Sequence, residues 1–385
     1  MDEEQHIPNT RRERVRQRRR RLEWRLAEAA LEHYGLRVTD LELLSQRFVQ
    51  VFRVTSRRDK FTLRLYDLPQ SNEKTAGSEA EFRTGAGLRS TGVLASQLLW
   101  LSDLGRQTDL LMPEPVLLPD GSPLGRISTH DLSPRGSLLR RASRRLDAEE
   151  LRSDLGDAPG MHRNFALLRW VPGEHKEVLE PEDLYLAGSY VAQLHRHAEG
   201  YGNPEGAVFP RWDWEWPFGE SANLWSDGAA FYSDSDMDAF REASQHVSEE
   251  LQQLGEGLEV FGVIHRDLKL ENLLFGDTRV GAVDFDLTGL GYYLFDLYTM
   301  RDSLRTHHAD RIEPLWAAFL AGYERERALP EDLGRHLTTF DVMQKVASVN
   351  RQIRLRSQET GSAGLRSPNL LTNVASWLKD LSREW

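Results

Sequence analysis

The chain has 385 residues, 39% of them hydrophobic and 9% aromatic, enough apolar surface to bury the cores of two or three compact units. It contains no cysteine, which excludes disulfides, thiolate metal centres and a cysteine nucleophile, and leaves metals only oxygen or imidazole ligands. The net charge is −11, yet residues 1–25 carry nine arginines against Asp2, Glu3, Glu4, Glu13 and Glu23, a balance of +4 that leaves −15 for the rest. A body so acidic repels a phosphate backbone and sets nucleic acid aside as the principal partner.

In chain order, the Arg11–Arg21 run has the charge of a nucleic-acid or membrane-surface arm, but a solvated, mobile leader over residues 1–22 or a helix extension is the preferred reading. Leu22, Leu26, Ala29, Ala30 and Leu31 then recur at helical spacing before Gly35, which predicts an opening helix. Arg47–Thr55 and Lys60–Tyr66, joined by Ser56-Arg57-Arg58-Asp59, predict a hairpin. Its second strand puts Phe61, Leu63 and Leu65 on one face and Arg64 on the other. Residues 68–93 are polar, Val93–Leu104 predicts a buried helix, and Pro113 and Pro115 end it. Residues 119–163, Arg-rich with Pro134, Gly136, Pro159 and Gly160, read as an insertion or mobile excursion. Arg140-Arg141-Ala142-Ser143 inside it resembles a site for a basic-directed protein kinase, and the solvated-loop reading is preferred there.

Phe165–Val171 predicts a strand stopped by Pro172-Gly173, and Pro181–His197, Asp236–Leu254 and the region from Ile312 onward predict helices. A sheet-rich first domain over 23–168 and a larger helical one over 169–385 follow. No apolar run approaches the roughly 18 residues of a membrane span, and no secretory leader is visible, so the cytosol is the expected location.

The chemistry concentrates in Val263-Ile264-His265-Arg266-Asp267-Leu268-Lys269-Leu270-Glu271-Asn272-Leu273-Leu274-Phe275 and Val280-Gly281-Ala282-Val283-Asp284-Phe285-Asp286. Leu273–Phe275 and Val280–Val283, joined by Gly276-Asp277-Thr278-Arg279, predict a tight hairpin whose open end brings Asn272 beside Asp284. An amide oxygen and a carboxylate there form a hard but incomplete oxygen site, of the kind that holds magnesium once phosphate oxygens and water complete the shell. Asp267, on the loop entering the hairpin, is placed to accept or orient the proton of an attacking hydroxyl.

These residues resemble the catalytic loop and metal-binding segment of the protein-kinase superfamily, and residues 26–355 resemble its aminoglycoside phosphotransferase and choline kinase branch. The resemblance implies an α+β, bilobal protein-kinase-like fold with a small sheet-rich N-lobe and a larger, mainly helical C-lobe. It implies Asp267 as catalytic aspartate, Asn272 and Asp284 as metal ligands, and His265 as a brace of the loop. Phe165–Gly173 resembles the hinge, with main-chain groups near Arg169 and Val171 meeting adenine; Leu194-His195 matches a packing helix, and Gly289–Asp296 the segment after the metal aspartate.

The chain departs from that pattern in places. Arg64 stands where the branch usually has its phosphate-binding lysine, keeping the charge on a forked group. Gln97 stands where a glutamate partner is common, with Glu79 or Glu81 as possible substitutes. No glycine lies between Gly35 and Gly77, so Ser45-Gln46-Arg47-Phe48 replaces a glycine-rich phosphate loop and Ser45 becomes a candidate nucleotide contact. The acid Asp286 in place of a glycine, and no Ala-Pro-Glu segment after it, favour the small-molecule branch. His265-Arg266-Asp267-Leu268-Lys269 is written as in serine/threonine kinases, where Lys269 neutralises the transferred phosphate; a solvent-facing lysine is the other reading.

The expected function is ATP- and Mg2+-dependent transfer of the γ-phosphate to a small-molecule hydroxyl. The alternatives are the same chemistry on a protein serine or threonine, or a pseudokinase that binds nucleotide without turnover. Arg211-Trp212-Asp213-Trp214-Glu215-Trp216-Pro217, with Trp225, Asp234, Asp236 and Asp238, interleaves aromatics and acids in a way that suits a cationic acceptor. Tryptophans packed on the core beside solvated acids is the competing reading. Neither nucleic acid nor membrane is an expected partner, and the oligomeric state is left open.

Overall fold

A computed structural model of the chain describes residues 11–46, 49–57, 59–67, 90–132, 162–202, 204–358, 369–383 and 385. Two compact units emerge, one made of residues 1–76, 89–103 and 113–170 and the other of 77–88, 104–112 and 171–385.

In the first unit, α1 (Arg11–Glu32) precedes β1 (Asp40–Gln46), β2 (Val49–Ser56) and β3 (Asp59–Asp67), followed by α2 (Thr91–Gln107), β4 (Pro115–Val116), β5 (Gly125–Ser128) and β6 (His162–Arg169). The strands form one antiparallel sheet in the order β1-β2-β3-β6-β4, with β5 also on β6. Phe52 pairs with Leu63 and Leu63 with Leu167. One row of apolar side chains therefore crosses three strands, and Leu26, Ala27, Ala30 and Leu31 of α1 are buried with it in a single core. Arg64, opposite Val51 and Ala166, lies on the other face and is buried.

Two expectations change here. From Arg11 onward the arginine run is backbone of α1, the helix extension. The predicted insertion over 119–163 opens within the sheet, since β5 pairs with β6 and Ile127 is buried. Residues 133–161, including Arg140–Ser143, lie outside the described residues, as do residues 1–10, Arg47, Phe48, Glu79 and Glu81.

The second unit contains α3 (Pro181–Tyr201), β7 (Arg211–Trp212), α4 (Glu215–Phe218), α5 (Asn223–Asp227), α6 (Asp234–Leu254), β8 (Phe261–Ile264), β9 (Leu273–Phe275), β10 (Val280–Ala282), β11 (Gly289–Tyr292), α7 (Tyr293–His307), α8 (Ile312–Glu324), α9 (Leu333–Gln358) and α10 (Asn369–Leu381). β7 and β8 flank β11 in a small sheet, and β9 pairs with β10. Local chemistry starts α6: the Asp236 N–H donates to Ser233 Oγ at 3.3 Å and the Ser233 N–H to Asp236 Oδ2 at 3.1 Å.

Leu315, Phe319 and Tyr323 of α8 are buried, as their spacing of four predicts. The crossing of α3 and α8 is closed by glycine: a Cβ on Gly188 would lie 1.9 Å from the Phe319 carbonyl oxygen, and one on Gly322 1.9 Å from that of Tyr185. Among the described residues no helix is long and apolar enough to cross a membrane.

Candidate active site

The β9–β10 ladder pairs Phe275 with Val280 and Leu273 with Ala282. One rung beyond, the Val283 N–H donates to the Asn272 carbonyl at 2.9 Å, so the ladder itself sets Asn272 against the residue preceding Asp284. The Asn272 amide nitrogen donates to the carbonyl oxygen of Asp267 at 2.7 Å and to its Oδ2 at 2.9 Å. With that nitrogen committed, the amide oxygen is the atom Asn272 has to offer a ligand. Lys269 Nζ lies 2.9 Å from the same Asp267 Oδ2, in a pair that is partly exposed. Two non-glycine residues here have left-handed backbone, Arg266 at φ 72° and Asp284 at φ 66°, a conformation that costs about 1–2 kcal/mol per residue and that surrounding contacts must hold.

For Arg266 those contacts come from Asp296, in the first turn of α7 and fully buried. Its carboxylate accepts the N–H of His265 at 2.9 Å, the N–H of Arg266 at 2.7 Å and Nε2–H of His195, from α3, at 3.2 Å. His195 Nδ1 in turn accepts from the Tyr323 hydroxyl at 3.0 Å. His265 Nε2 donates to the Val283 carbonyl at 3.1 Å, which leaves Nδ1 to accept the Asp267 N–H at 3.3 Å. One imidazole thus ties the Asp267 main chain to the strand that delivers Asp284. Burial depresses the His195 pKa more than Asp296 restores it. Burial alone would raise Asp296, but the hydrogen bonds it accepts from His195 and from the His265 N–H hold it below the ordinary carboxylate value. Both directions describe a neutral imidazole on an ionised carboxylate.

Arg266 is buried, its guanidinium carbon 3.8 Å from the Phe295 ring centroid, 4.5 Å from Trp216 and 5.1 Å from Trp212, with Nη2 donating to Gln344 Oε1 at 2.7 Å. Burial pulls its pKa down to about 10 against the opposing charges of Asp296 and Asp267. Trp212 and Trp216 therefore stack on the loop that carries Asp267, while Trp214 turns away and donates to the Ser244 carbonyl at 2.9 Å. Three of the acids in this stretch have partners already. Asp213 pairs with Arg211 at 2.6 Å, Asp236 with Lys379 at 2.6 Å and Asp238 with Arg241 at 2.6 Å. The packing reading of this stretch accounts for these contacts.

Asp267, Lys269, Asn272 and Asp284 come together in the second unit. Val171 belongs to that unit and is buried where a Cβ on Gly281 would lie 2.6 Å from its Cγ1. Arg64, Ser45 and Arg169 belong to the first unit: Arg64 in mid-β3, Ser45 half-buried beside the register shift of β1, and Arg169 exposed at the end of β6, paired with Glu114 at 3.3 Å. Gln97 is buried in α2. Among the described residues no three His, Asp or Glu side chains are grouped to hold a metal by themselves. Asn272 and Asp284 are hard oxygen donors too few for a full shell, the donor set that suits magnesium when a nucleotide brings phosphate oxygens. Sequence reasoning missed the Gln344 and Tyr323 anchors, which lie 78 and 128 residues from their partners and carry no local signal.

Residues 126–329 match the model of the phosphotransferase enzyme family. An amicoumacin kinase solved with AMP-PNP and Ca2+ superposes with a TM-score of 0.64 at 15% identity, over 94% of this chain and 96% of that one. A microcompartment-associated aminopropanol kinase gives 0.59 at 20% identity, over 92% and 93%. Both are similar in fold. An uncharacterised protein of Deinococcus radiodurans is 29% identical over 180 residues, 46% of this chain and 50% of its own length. The chain thus spans about half the length of the curated relative it matches.

Proposed function

The chain belongs to the phosphotransferase enzyme family, and from that premise we propose that it moves the γ-phosphate of ATP to a hydroxyl of a small molecule, with Asp267 acting on that hydroxyl. The observation that carries this reading is the double hold of Asn272 Nδ2 on Asp267 in a hairpin whose ladder also sets Asp284. It joins the residue that would receive the acceptor's proton to those that would meet the phosphates.

In the proposed transfer the acceptor oxygen forms a bond to the γ-phosphorus, the bond from that phosphorus to the β–γ bridging oxygen breaks, and ADP leaves. The hydroxyl proton passes to the Asp267 carboxylate. Asn272 through its oxygen and Asp284 would hold a divalent cation, magnesium on the donor chemistry. Bound there with the phosphates, such an ion would offset negative charge on their oxygens. Lys269, 2.9 Å from Asp267 Oδ2, pairs with that carboxylate until substrate arrives and then supplies positive charge to the phosphate in flight. Arg64, Ser45 and the main chain at Arg169 and Val171 remain our proposed nucleotide contacts.

Small molecules are favoured over proteins because the similar solved structures include an aminopropanol kinase and an amicoumacin kinase. The intact Asp267–Asn272–Lys269 contacts disfavour a pseudokinase. The test is ATP consumption with magnesium, for the natural chain and Asp267→Asn, against amino alcohols, aminoglycosides, sugars, homoserine, hydroxy acids and a generic protein. Turnover on a small acceptor that falls at least about a hundredfold in Asp267→Asn is expected. Equal turnover by the two proteins would sink the role given to Asp267, and turnover on the protein alone would sink the substrate class.

A further inference from the structure

A small pocket of about 50 Å3 opens beside the catalytic loop, lined among others by Trp216, Ser221, Asn223, Asn350, Arg351 and Arg354. Its volume is several times the roughly 10–15 Å3 that one water needs, so it takes a group of a few heavy atoms rather than a whole ring. No carboxylate lines it, although the body of the chain is strongly acidic.

Its walls are fixed. Asn350 accepts the Leu224 N–H at 2.7 Å and donates to the Pro217 carbonyl at 2.7 Å, tying α4 and α5 to α9 and spending its own polar groups. Arg351 is exposed at the mouth and has no hydrogen-bond or ion-pair partner among the described residues. Trp216 forms part of the lining and also lies over the Arg266 guanidinium, one residue from Asp267. Gln344, which holds Arg266, shares a face of α9 with Ala347 and Arg351 at spacings of three and seven. Arg351 therefore stands about 10 Å along the helix from Gln344, whose side chain reaches the loop that carries Asp267.

We propose that the acceptor carries an oxyanion, a carboxylate or a phosphate, which Arg351 and Arg354 hold in this pocket while the acceptor's hydroxyl is presented to Asp267. A guanidinium matches either group with two parallel N–H donors. The bland alternative, an exposed Arg351 and a half-buried Arg354 that serve only the packing and solvation of α9, predicts no acceptor selectivity. The inference deepens the phosphotransferase reading and rests on it. The chemical step is the one already written, and the anionic end takes no part in bond making. It also reverses the cationic acceptor suggested by the tryptophan-rich stretch, where Asp213, Asp236 and Asp238 are occupied by Arg211, Lys379 and Arg241.

The experiment uses two matched series that differ in charge: glycerol, 3-amino-1,2-propanediol, glycerate and glycerol 3-phosphate, and glucose, glucosamine, gluconate and glucose 6-phosphate. The natural chain, Arg351→Ala, Arg354→Ala and the double variant are assayed with magnesium-ATP, and calorimetry with AMP-PNP present measures binding of gluconate and glucose 6-phosphate where no turnover is seen. The proposal expects the anionic members to bind or react better than their neutral counterparts. It expects KM or Kd to rise about 10- to 100-fold in the variants, with kcat and the KM for ATP little changed. The carboxylate and phosphate arms decide which oxyanion is meant. A preference for neutral or amino members, an anion preference that survives the double variant, or millimolar anions that neither bind nor react would each overturn it. Acceptor-independent ATP hydrolysis in Asp267→Asn tests the transfer reading separately: if it is undiminished while anion binding still depends on Arg351, the transfer role of Asp267 fails and the oxyanion site stands.

Discussion

Replacing Asp296 by asparagine tests whether the catalytic loop is held by one buried charge. The carboxylate accepts from two main-chain N–H groups, at 2.9 and 2.7 Å, and from His195 Nε2 at 3.2 Å, with no exposure to solvent. Asparagine keeps one acceptor oxygen and turns its second terminal atom into a donor, so at least one of the three donors faces another donor. Hydrogen bonds to a charged group are worth about 1.5–3 kcal/mol against about 1 for neutral pairs. The buried Arg266 guanidinium also loses its largest opposing charge. Removing one side of a buried ionic arrangement costs about 3–5 kcal/mol, and we expect a loss in that range, a large share of the roughly 5–15 kcal/mol of a typical fold. Because His265 and Arg266 lead directly into Asp267, the surviving folded enzyme should lose about a hundredfold in kcat from misplacement of the carboxylate, with the KM for ATP little changed. Urea unfolding and steady-state turnover measure the two effects. A loss under about 1 kcal/mol together with kcat within threefold of the natural chain would refute the account of Asp296 as the brace.

The neutral state of His195 sets a pH dependence. Its folded pKa lies below the ordinary 6.5, so the unfolded chain takes up the proton first as pH falls. This contribution to stability is complete above about 6.5 and is lost progressively below it; that of Asp296, also depressed, persists until the pH nears the ordinary carboxylate range. Melting temperatures from pH 8 to 5 should fall below 6.5, and His195→Gln should flatten the slope; an unaltered slope counts against the assignment. Gly188→Ala or Gly322→Ala places a methyl against a carbonyl oxygen in the α3–α8 crossing, and we expect a loss of about 2–3 kcal/mol in denaturant unfolding; tolerance of both would show that the helices can part. Lys269→Met should leave stability within about 0.5 kcal/mol, since its pair is partly exposed, and lower kcat by about tenfold or more with nucleotide affinity retained. An unchanged kcat returns Lys269 to the solvent-facing reading.

The parts of the site visible in the sequence are those set by near neighbours. The turn at Gly276–Arg279 closes a ladder of three residue pairs, and that alone aligns Asn272 with Asp284, so alternation and turn chemistry were enough to find them. The sheet β7-β11-β8 left no such trace. Its central strand Gly289-Leu290-Gly291-Tyr292 has two glycines, yet a Cβ at Gly289 would lie 2.4 Å from the Pro210 carbonyl oxygen and one at Gly291 2.6 Å from Ile264 Cδ1. Closeness of strands, not conformational freedom, requires glycine there. The start of β5 was hidden similarly, because Gly125 makes room for the Phe165 ring, 2.2 Å from where its Cβ would stand.

The tryptophan stretch shows the limit of reading a period. Residues 212, 214 and 216 alternate as if on one strand, but Trp212 closes a strand and Trp216 lies in a helix. The change of period between them brings both rings onto Arg266 and sends Trp214 elsewhere. Local order therefore names the atoms able to do chemistry, while their aim is decided by single polar groups, the buried Asp296 and His195 and the half-buried Gln344, that arrive from 30 to 101 residues away. A polar contact of that kind has no periodicity to betray it. The proposed oxyanion site would set the acceptor's character in the same manner, by a helix face that carries Gln344 toward the loop of Asp267 and Arg351 two turns on toward the oxyanion, so that substitution in α9 would alter selectivity without touching Asp267.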